Sequence, residues 1–228
     1  MNELIAGFIK AIELIVTLNP EVLEITLLTL KISLASLVIG SLIFIPLGSL
    51  IHFHEFRGKR SVINIIQTLF ALPTVVVGLL VFLLLSRSGP LGFLGLFFTP
   101  TGMVMGQVIL IAPIMIGLTI SALSGVDKTI RDSIISLGAT EFQSIIANLK
   151  EARFAILSAV ITGFGRAISE VGAALMIGGN IRGYTRVLTT AIALETSMGN
   201  VELSLALGII LLSLALIVNI LLNRLQER

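Results

Sequence analysis

Residues 165–180 read GRAISEVGAALMIGGN and place two charged groups inside an apolar run, residues 154–178, that is long enough to cross a membrane. Arg166 and Glu170 are four residues apart, so both would lie on one face of a helix. A charged side chain at the bilayer centre costs about 2.5–3.5 kcal/mol, and such groups normally face a bundle interior or a polar cavity. The stretch therefore predicts a membrane helix with one side turned toward protein or toward a pathway.

The composition is that of an integral membrane protein. Of the 228 residues, 56% are hydrophobic and only 12% are charged, and the mean hydropathy is +1.08. Soluble domains carry about 25% charged residues. The chain has no cysteine, which excludes disulfides and thiolate chemistry. Its net charge of +2 does not require a nucleic-acid partner, because membrane proteins concentrate Lys and Arg in their cytoplasmic loops.

Five apolar segments have the length of about 20 residues that crossing a bilayer core requires. They are residues 25–53, 62–86, 101–123, 154–178 and 201–222. In residues 3–18, Lys10 and Glu13 would share a polar side, which predicts a helix lying in the membrane interface. Asn19-Pro20 ends that helix, because the residue before a proline is disfavoured in the α region. The predicted fold class is all-α: a polytopic helical membrane protein with about five transmembrane helices and an N-terminal interfacial helix.

Proline and glycine residues predict bends and close contacts within these spans. Pro73 and Pro113 lie mid-span, where a proline removes a backbone hydrogen bond and bends the helix axis. Gly102 and Gly106 form a G-x-x-x-G pattern, which lets another helix approach closely.

The distribution of basic residues predicts the orientation of the spans. Nine Lys and Arg residues fall in residues 52–60, residues 124–153 and the C-terminal tail. The opposite side carries four, namely Lys10, Arg87, Arg182 and Arg186. Because cytoplasmic loops carry the excess of basic residues, the N-terminus is predicted to be external and the C-terminus cytoplasmic.

The long cytoplasmic loop, residues 124–153, is predicted to form two short helices around Gly138. Asp127 can cap the first helix, and Gly138 can end it in a left-handed conformation. Thr140 and Gln143 have the spacing of a capping box for the second helix. That helix has an apolar face made of Phe142, Ile145 and Ile146. The face is suited either to docking a partner protein or to packing back on the bundle.

Residues 131–145, RDSIISLGATEFQSI, resemble the cytoplasmic coupling loop of the permeases of ABC importers. In that loop, Glu-Ala-Ala is followed by three residues of any type and then by Gly. Asp132 stands at the Glu position and Gly138 at the Gly position. Ser133 and Ile134 replace the two alanines, and ANLKEARFAIL at 147–157 lacks the Ile-x-Leu-Pro that usually follows.

Two further stretches, residues 70–92 and 165–192, resemble the permeases for molybdate, sulfate and tungstate. The variants EARFAIL at 151–157 and LTTAIALET at 188–196 are most similar to tungstate uptake permeases. So is the lack of the additional N-terminal span that is common in molybdate permeases. The resemblance covers about residues 22–225.

The resemblance implies a type I ABC-importer permease fold and a division of labour between subunits. Residues 1–20 would form the interfacial helix, and residues 22–225 the transmembrane domain with its coupling loop at 124–153. The chain lacks a G-x-x-x-x-G-K-[ST] motif, since Gly58-Lys59 has neither the upstream glycine nor the following Ser or Thr. It is therefore expected to be no enzyme and to bind no cofactor, while a partner subunit uses ATP.

The expected assembly is a homodimer of permease subunits with two ABC ATPase subunits and an extracytoplasmic oxyanion-binding protein. It would lie in the lipid bilayer of the cell membrane of a bacterium or archaeon. The expected function is import of a tetrahedral oxyanion, tungstate first, with molybdate or sulfate as alternatives.

Candidate functional residues follow in three groups. The resemblance assigns ATPase coupling to Asp132, Gly138, Ala139, Thr140, Phe142 and Ile145. A pathway for a dianion needs hydroxyl groups, backbone N–H groups and limited positive charge, and the candidates are Thr74, Arg166, Ser169, Glu170, Gly172, Gly178 and Gly179. Because a carboxylate repels an anion, Glu170 is expected to pair with Arg166 or with a neighbouring helix, and direct control of the pathway is its alternative role.

The external loop supplies the third group, Arg182, Thr185 and Arg186. Its arginines would attract the anion or contact the binding protein, or else form an ordinary solvated basic loop.

Three other classes of membrane protein fit less well. A channel does not explain a long cytoplasmic loop with a docking helix. An intramembrane protease or a metal site needs a cluster of catalytic or ligating groups, but His52 and His54 lie together at a membrane edge and both aspartates lie in the cytoplasmic loop. A secondary anion transporter is the remaining alternative, and dependence of uptake on an ATPase separates it from an importer permease.

Overall fold

The computed structural model describes residues 2–226, and at residues 2, 3, 131, 135, 225 and 226 it describes the backbone alone. Arg228, counted above in the basic tail, lies outside the described residues, as does the side chain of Arg131. The described part of the chain forms eleven α-helices and no strand. The helices are α1 Asn2–Val16, α2 Pro20–Phe53, α3 Lys59–Thr68, α4 Thr74–Leu85, α5 Pro100–Ser124, α6 Lys128–Ser136, α7 Glu141–Glu151, α8 Arg153–Ile168, α9 Gly172–Gly178, α10 Leu188–Ser197 and α11 Val201–Gln226.

Helices α2, α5 and α11 are each long and apolar enough to cross a membrane without a break. The side chain of Asn19 starts α2 by accepting hydrogen bonds from the backbone N–H groups of Glu21 and Val22, and Pro20 occupies the first helical position. With 34 residues, α2 is roughly 50 Å long, which exceeds the bilayer core of about 30 Å. Pro46 in α2 and Pro113 in α5 lie inside continuous helices.

The other two predicted spans are not single helices. Residues 62–86 divide into α3 and α4, and the helix axis bends by 102° between them. Residues 154–178 divide into α8 and α9, and the axis bends by 59° there. If each bent pair counts as one span, the described residues hold five, so the predicted number is confirmed and the predicted continuity of these two spans is wrong.

Local chemistry explains the break between α3 and α4. Leu72 has an extended ψ of 123° before Pro73, as expected for a residue that precedes proline. Pro73 then stands at the N-cap of α4. It therefore starts a new helix, whereas the sequence analysis expected it to bend a continuous one.

Close packing at glycines holds the central helices together. A Cβ added to Gly40 of α2 would meet the side chain of Ile111 on α5, and one added to Gly48 would meet Thr119. The predicted close approach of another helix is present at Gly106, where an added Cβ would clash with Ile177 of the short helix α9. At Gly102 the close neighbour is the carbonyl oxygen of Leu96. These contacts bring the broken segments against the centre of the bundle.

Helix α1 packs on α11 through Gly7, Ala11 and Leu14. Lys10 and Glu13 form the expected polar pair, with 3.0 Å between Lys10 Nζ and Glu13 Oε2. Large apolar side chains point away from the bundle, namely Leu4, Ile5, Phe8, Ile9 and Ile12. An interfacial position for residues 3–18 stays a prediction.

Candidate functional site

The two helix breaks lie next to each other, because α4 and α9 pack side by side. A Cβ added to Gly78 of α4 would lie 2.8 Å from the Cα of Ala173 in α9. At the start of α9, a Cβ added to Gly172 would lie 3.1 Å from Thr74 Oγ1. Two helix N-termini therefore meet inside spans of membrane length, and α4 has no side chain that caps it. Backbone N–H groups at such an end form a partial positive charge.

Arg166 connects the two breaks. It lies in the last turn of α8, and its Nη2 donates a hydrogen bond of 3.3 Å to the carbonyl oxygen of Leu72, just before Pro73. The side chain is half-buried. Among the described residues, no carboxylate lies within ion-pair distance of this guanidinium. A guanidinium has five donors, so Arg166 has capacity for an anion.

The predicted pair between Arg166 and Glu170 is not formed. Helix α8 ends at Ile168, so the four-residue spacing does not place the two side chains on one helical face. Instead, Glu170 Oε1 accepts a hydrogen bond of 2.7 Å from the backbone N–H of Ala173. The carboxylate is thus a cap for α9 and is 3% exposed.

Thr189 of α10 holds the backbone of the same break. Its hydroxyl donates a 2.7 Å hydrogen bond to the carbonyl oxygen of Glu170. Both residues are buried, so this bond satisfies a carbonyl that the end of α8 leaves without a helical partner.

Gln107 is a functional candidate that the sequence analysis did not identify. It is 6% exposed in the middle of α5, and its Nε2 donates to the carbonyl oxygen of Ala167 over 3.1 Å. Its Oε1 accepts a 3.1 Å hydrogen bond from the hydroxyl of Ser36 on α2. One amide therefore fixes α2, α5 and the end of α8. The signal in the sequence was a lone amide side chain in an apolar span.

Replacing Gln107 with Met is expected to lower the stability of the purified protein by about 1–3 kcal/mol, because Ala167 and Ser36 lose a buried partner. For a chain of this size the fall in Tm is roughly 3–10 °C. Thermal unfolding in detergent measures it. Gln67→Met, at an exposed position on α3, is the matched control and should leave the Tm unchanged. If Gln107→Met has the same Tm as the unmodified protein, the amide of Gln107 does not stabilise the break between α8 and α9.

The remaining pathway candidates differ in accessibility. Ser169, in the break between α8 and α9, is exposed. Gly172 at the start of α9 and Thr74 at the start of α4 are half-buried. Gly178 is buried against Met103. Gly179 has φ +70° and its N–H donates to the carbonyl of Leu175. Gly178 and Gly179 therefore serve packing and helix termination, while the Ser169 hydroxyl donates a 3.2 Å hydrogen bond to the carbonyl oxygen of Arg166.

Arg182 and Arg186, which are predicted to be external, are tied to the start of α2. Arg182 Nη2 lies 2.5 Å from Glu21 Oε2, and Arg186 Nη1 lies 3.7 Å from Glu21 Oε1. The hydrogen bond to Glu21 raises the pKa of Arg182 further above its ordinary value. Thr185 is fully buried and donates to the carbonyl of Gly178. Its predicted role as an external contact is wrong, because its hydroxyl closes the turn after α9.

The cytoplasmic loop forms the two predicted helices, α6 and α7. Asp127 caps α6 by accepting a hydrogen bond of 2.8 Å from the N–H of Thr129. Gly138 has φ +81°, a left-handed conformation that favours glycine. Thr140 and Gln143 form the predicted capping box, with reciprocal hydrogen bonds of 2.9 and 3.3 Å.

The inner side of α7 is polar, and its outer side is apolar. Ser144 and Asn148 are buried, whereas the side chain of Phe142 is 71% exposed and that of Leu137 is 86% exposed. Ala139 and Ile145 are half-buried, and Asp132 is exposed. Phe142 therefore does not pack back on the bundle, whereas Ile145 of the same face is partly covered. The exposed apolar residues form a surface at the end of the molecule that carries the basic loops.

Comparison with known proteins places the chain in one family of transport proteins. The family described as binding-protein-dependent transport system inner membrane component matches residues 44–228. The tungstate uptake system permease protein of Peptoclostridium acidaminophilum is 40% identical over 227 residues, which cover all of both chains. That of Campylobacter jejuni is 36% identical over 97% of this chain and 92% of its own.

The fold also matches a solved structure. A bacterial ABC transporter involved in the import of the acidic polysaccharide alginate contains a chain that superposes with a TM-score of 0.72. The two share 22% identity, over 90% of this chain and 79% of the other. The predicted all-α permease fold is confirmed.

Proposed function

We propose that this chain, which belongs to the family of inner-membrane components of binding-protein-dependent transport systems, is the permease of an ATP-driven tungstate importer. The observation that carries the proposal is its similarity, along nearly its whole length, to two permeases of tungstate uptake systems. Tungstate is a tetrahedral dianion, and Arg166 supplies a cation without an acidic partner at the two helix breaks. The chain is a transport subunit, and ATP is hydrolysed by a separate subunit of such a system.

The proposed pathway runs past the two helix breaks. The guanidinium of Arg166 can bind an oxyanion through donors that its bond to Leu72 leaves free. The hydroxyl of Thr74 and the uncapped N-terminus of α4 add neutral donors. A single cation gives attraction without tight binding, which suits a site that must release its ligand. The buried carboxylate of Glu170 caps α9, so the partial positive charge of that helix end offsets part of its repulsion of the anion.

The proposed ATPase contact is the α6–α7 unit. Leu137 and Phe142 present apolar side chains to a partner, and Asp132 provides a charge beside them. Gly138, Ala139 and Thr140 form the turn that sets the angle between the two helices. The half-buried Ile145 links this surface to the bundle, so movement of the ATPase reaches α8 through α7.

The proposed assembly is a homodimer with two ATPase subunits and an extracytoplasmic binding protein, in the cell membrane of a bacterium or archaeon. The described residues hold up to five spans, and the pathway face at Ser169 is exposed, which supports a second copy opposite it. Arg182 is 72% exposed at its side chain although it is paired with Glu21. It therefore remains available to a docked binding protein, with the anion itself as the other candidate.

Cysteine labelling tests the orientation, because the chain has no cysteine of its own. A cysteine at Ser133, which is exposed on α6, is expected to react with a membrane-impermeant maleimide only after cells are opened. A cysteine at exposed Ser88 should react in intact cells. Labelling at position 133 in intact cells would reverse the proposed orientation.

Competition in whole cells tests the substrate. The permease, ATPase and binding protein are expressed in cells without tungstate uptake of their own, and uptake of labelled tungstate is measured. Unlabelled tungstate is expected to compete at lower concentration than molybdate and sulfate. Preference for either of the other anions would replace tungstate in the proposal, and uptake that persists with a catalytically inactive ATPase would indicate a secondary transporter.

A further inference from the structure

A cavity of about 720 Å³ lies between the cytoplasmic end of α5, the start of α6 and the first turns of α8. Its wall along α8 includes Ala155, Ser158 and Thr162. All three are exposed, and they follow one another at helical spacing. By contrast, the exposed residues of α4 and α11 are large and aliphatic. The small and polar wall continues toward Ser169, so the cavity lies below the proposed pathway.

The two charged residues that line this cavity are both acidic. Asp127 and Glu151 line it, although the loop that carries them, residues 124–153, has as many basic as acidic residues. Among the described side chains of that loop, Lys128 and Lys150 are not in the lining. Arg153 faces a different hollow beside Ile45 and lies over the ring of Phe154, 4.5 Å from its centroid. The wall that an anion would pass is therefore acidic.

Local structure explains one of these carboxylates and not the other. Asp127 caps α6, and the hydrogen bond from the N–H of Thr129 lowers its pKa, so it is charged at neutral pH. Glu151 is the last residue of α7 and directly precedes Ala152, the N-cap of α8, so the dipoles of the two helices act on it in opposite senses. Among the described residues it has no ion-pair partner. No basic side chain therefore offsets its charge at the cavity.

We propose that Asp127 and Glu151 weaken the binding of the dianion in this cavity, so that the released product rebinds poorly from the cytoplasm. The proposal rests on the proposed function and assigns these carboxylates a role opposite to that of Arg166. At about 10 Å in water, one carboxylate disfavours a dianion by about fourfold, and two by roughly fifteenfold. Because the interaction is electrostatic, salt should weaken it.

The first test measures the potential in the cavity without transport. A cysteine at Thr162 in inverted vesicles is treated with cationic and anionic methanethiosulfonate reagents, and the ratio of the two rates is compared between variants. Asp127→Asn keeps the helix cap, because Asn also caps well, and Glu151→Gln keeps the side-chain size. Each is expected to lower the cation-to-anion ratio by about fourfold at low salt. Raising the salt from about 0.01 M to about 0.1 M should reduce the effect to below about twofold.

The second test measures return of the product. Proteoliposomes hold the permease and ATPase with their cytoplasmic side outward and the loaded binding protein in the lumen, and tungstate is added outside. The Asp127→Asn/Glu151→Gln double variant is expected to be half-inhibited, in its stimulated ATP hydrolysis, at a tungstate concentration roughly fifteenfold lower than the unmodified protein.

The control is Glu55→Gln, which removes an exposed acid of another cytoplasmic loop. Its rate ratio and its inhibition should equal those of the unmodified protein. Equal rate ratios in the double variant and the control would mean that the two carboxylates do not set a negative potential in the cavity. A changed rate ratio with unchanged inhibition would overturn their role in weakening rebinding of the product. Absence of any stimulation by the loaded binding protein would contradict the proposed function, and the rate ratio would still test the cavity.

Discussion

Replacing Arg166 with Gln is expected to reduce tungstate uptake by about 10- to 100-fold, because a hydrogen bond to a charged group is worth about 1.5–3 kcal/mol. The amount of folded protein in the membrane should change little, since the one bond that Arg166 makes in the described structure is with the carbonyl of Leu72. Gln can still donate to that carbonyl. Transport of labelled tungstate and the protein level in isolated membranes are measured on the same cells.

Two further variants separate charge from geometry at this position. Arg166→Lys keeps the charge and loses the planar fork of donors, so its uptake should fall between those of the unmodified protein and Arg166→Gln. Lys31→Gln removes a cation that is exposed on α2, away from the breaks, and should leave uptake within about twofold. Normal uptake by Arg166→Gln would remove this residue from the pathway.

A double-mutant cycle tests the separation of Arg166 from Glu170. The structure gives Glu170 a backbone partner in Ala173 and no bond to Arg166. The stability effects of Arg166→Gln and Glu170→Gln should therefore add to within about 0.5 kcal/mol. Recovery of stability in the double variant would mean that the two side chains pair in the membrane. Loss of uptake by Glu170→Gln with intact folding would place the carboxylate in the pathway or its gate.

Replacing Phe142 with Ser is expected to weaken association with the ATPase subunit by at least about 30-fold, the range of a central apolar contact in an interface. Because Phe142 is 71% exposed in the isolated chain, its loss should not lower the stability of the permease. Co-purification from membranes and titration of the detergent-solubilised subunits measure the affinity. Phe56→Ser changes an exposed aromatic residue of another cytoplasmic loop and should leave the affinity unchanged. Equal affinities for both variants would contradict docking at α7.

Gly138→Val tests the same surface through the backbone. A Cβ at this position meets nothing within 4 Å, so the cost comes only from φ +81°, about 1–3 kcal/mol for a residue other than glycine. Relief of that strain would turn α7 away from α6 and lower uptake while the protein still inserts. Unchanged co-purification and uptake would count against the proposed docking site.

Short-range patterns in the sequence predicted much of the cytoplasmic unit. The roles of Asp127, Gly138 and the Thr140–Gln143 box depend on residues within a few positions of one another. Hydropathy likewise identified the five spans. These features are local, so the residues that cause them can be read in order along the chain.

The breaks inside two spans were less accessible to prediction. The apolar run of residues 154–178 continues through the end of α8, and the four-residue spacing of Arg166 and Glu170 assumes a helix that has already ended. Contacts between distant segments decide the outcome: Gln107 and Thr189 bind the carbonyls that the break releases. The pairing of Glu21 with Arg182 has the same long-range origin, since the partners are 161 positions apart in the sequence. No local pattern records such contacts.

Tungstate accumulation in proteoliposomes that contain this chain, the ATPase subunit and the binding protein tests the central claim most directly. Accumulation is expected to require all three proteins and ATP hydrolysis, and its rate is expected to fall by about 10- to 100-fold when Arg166→Gln replaces the unmodified chain. Accumulation driven by an ion gradient in vesicles that contain this chain alone would contradict the account.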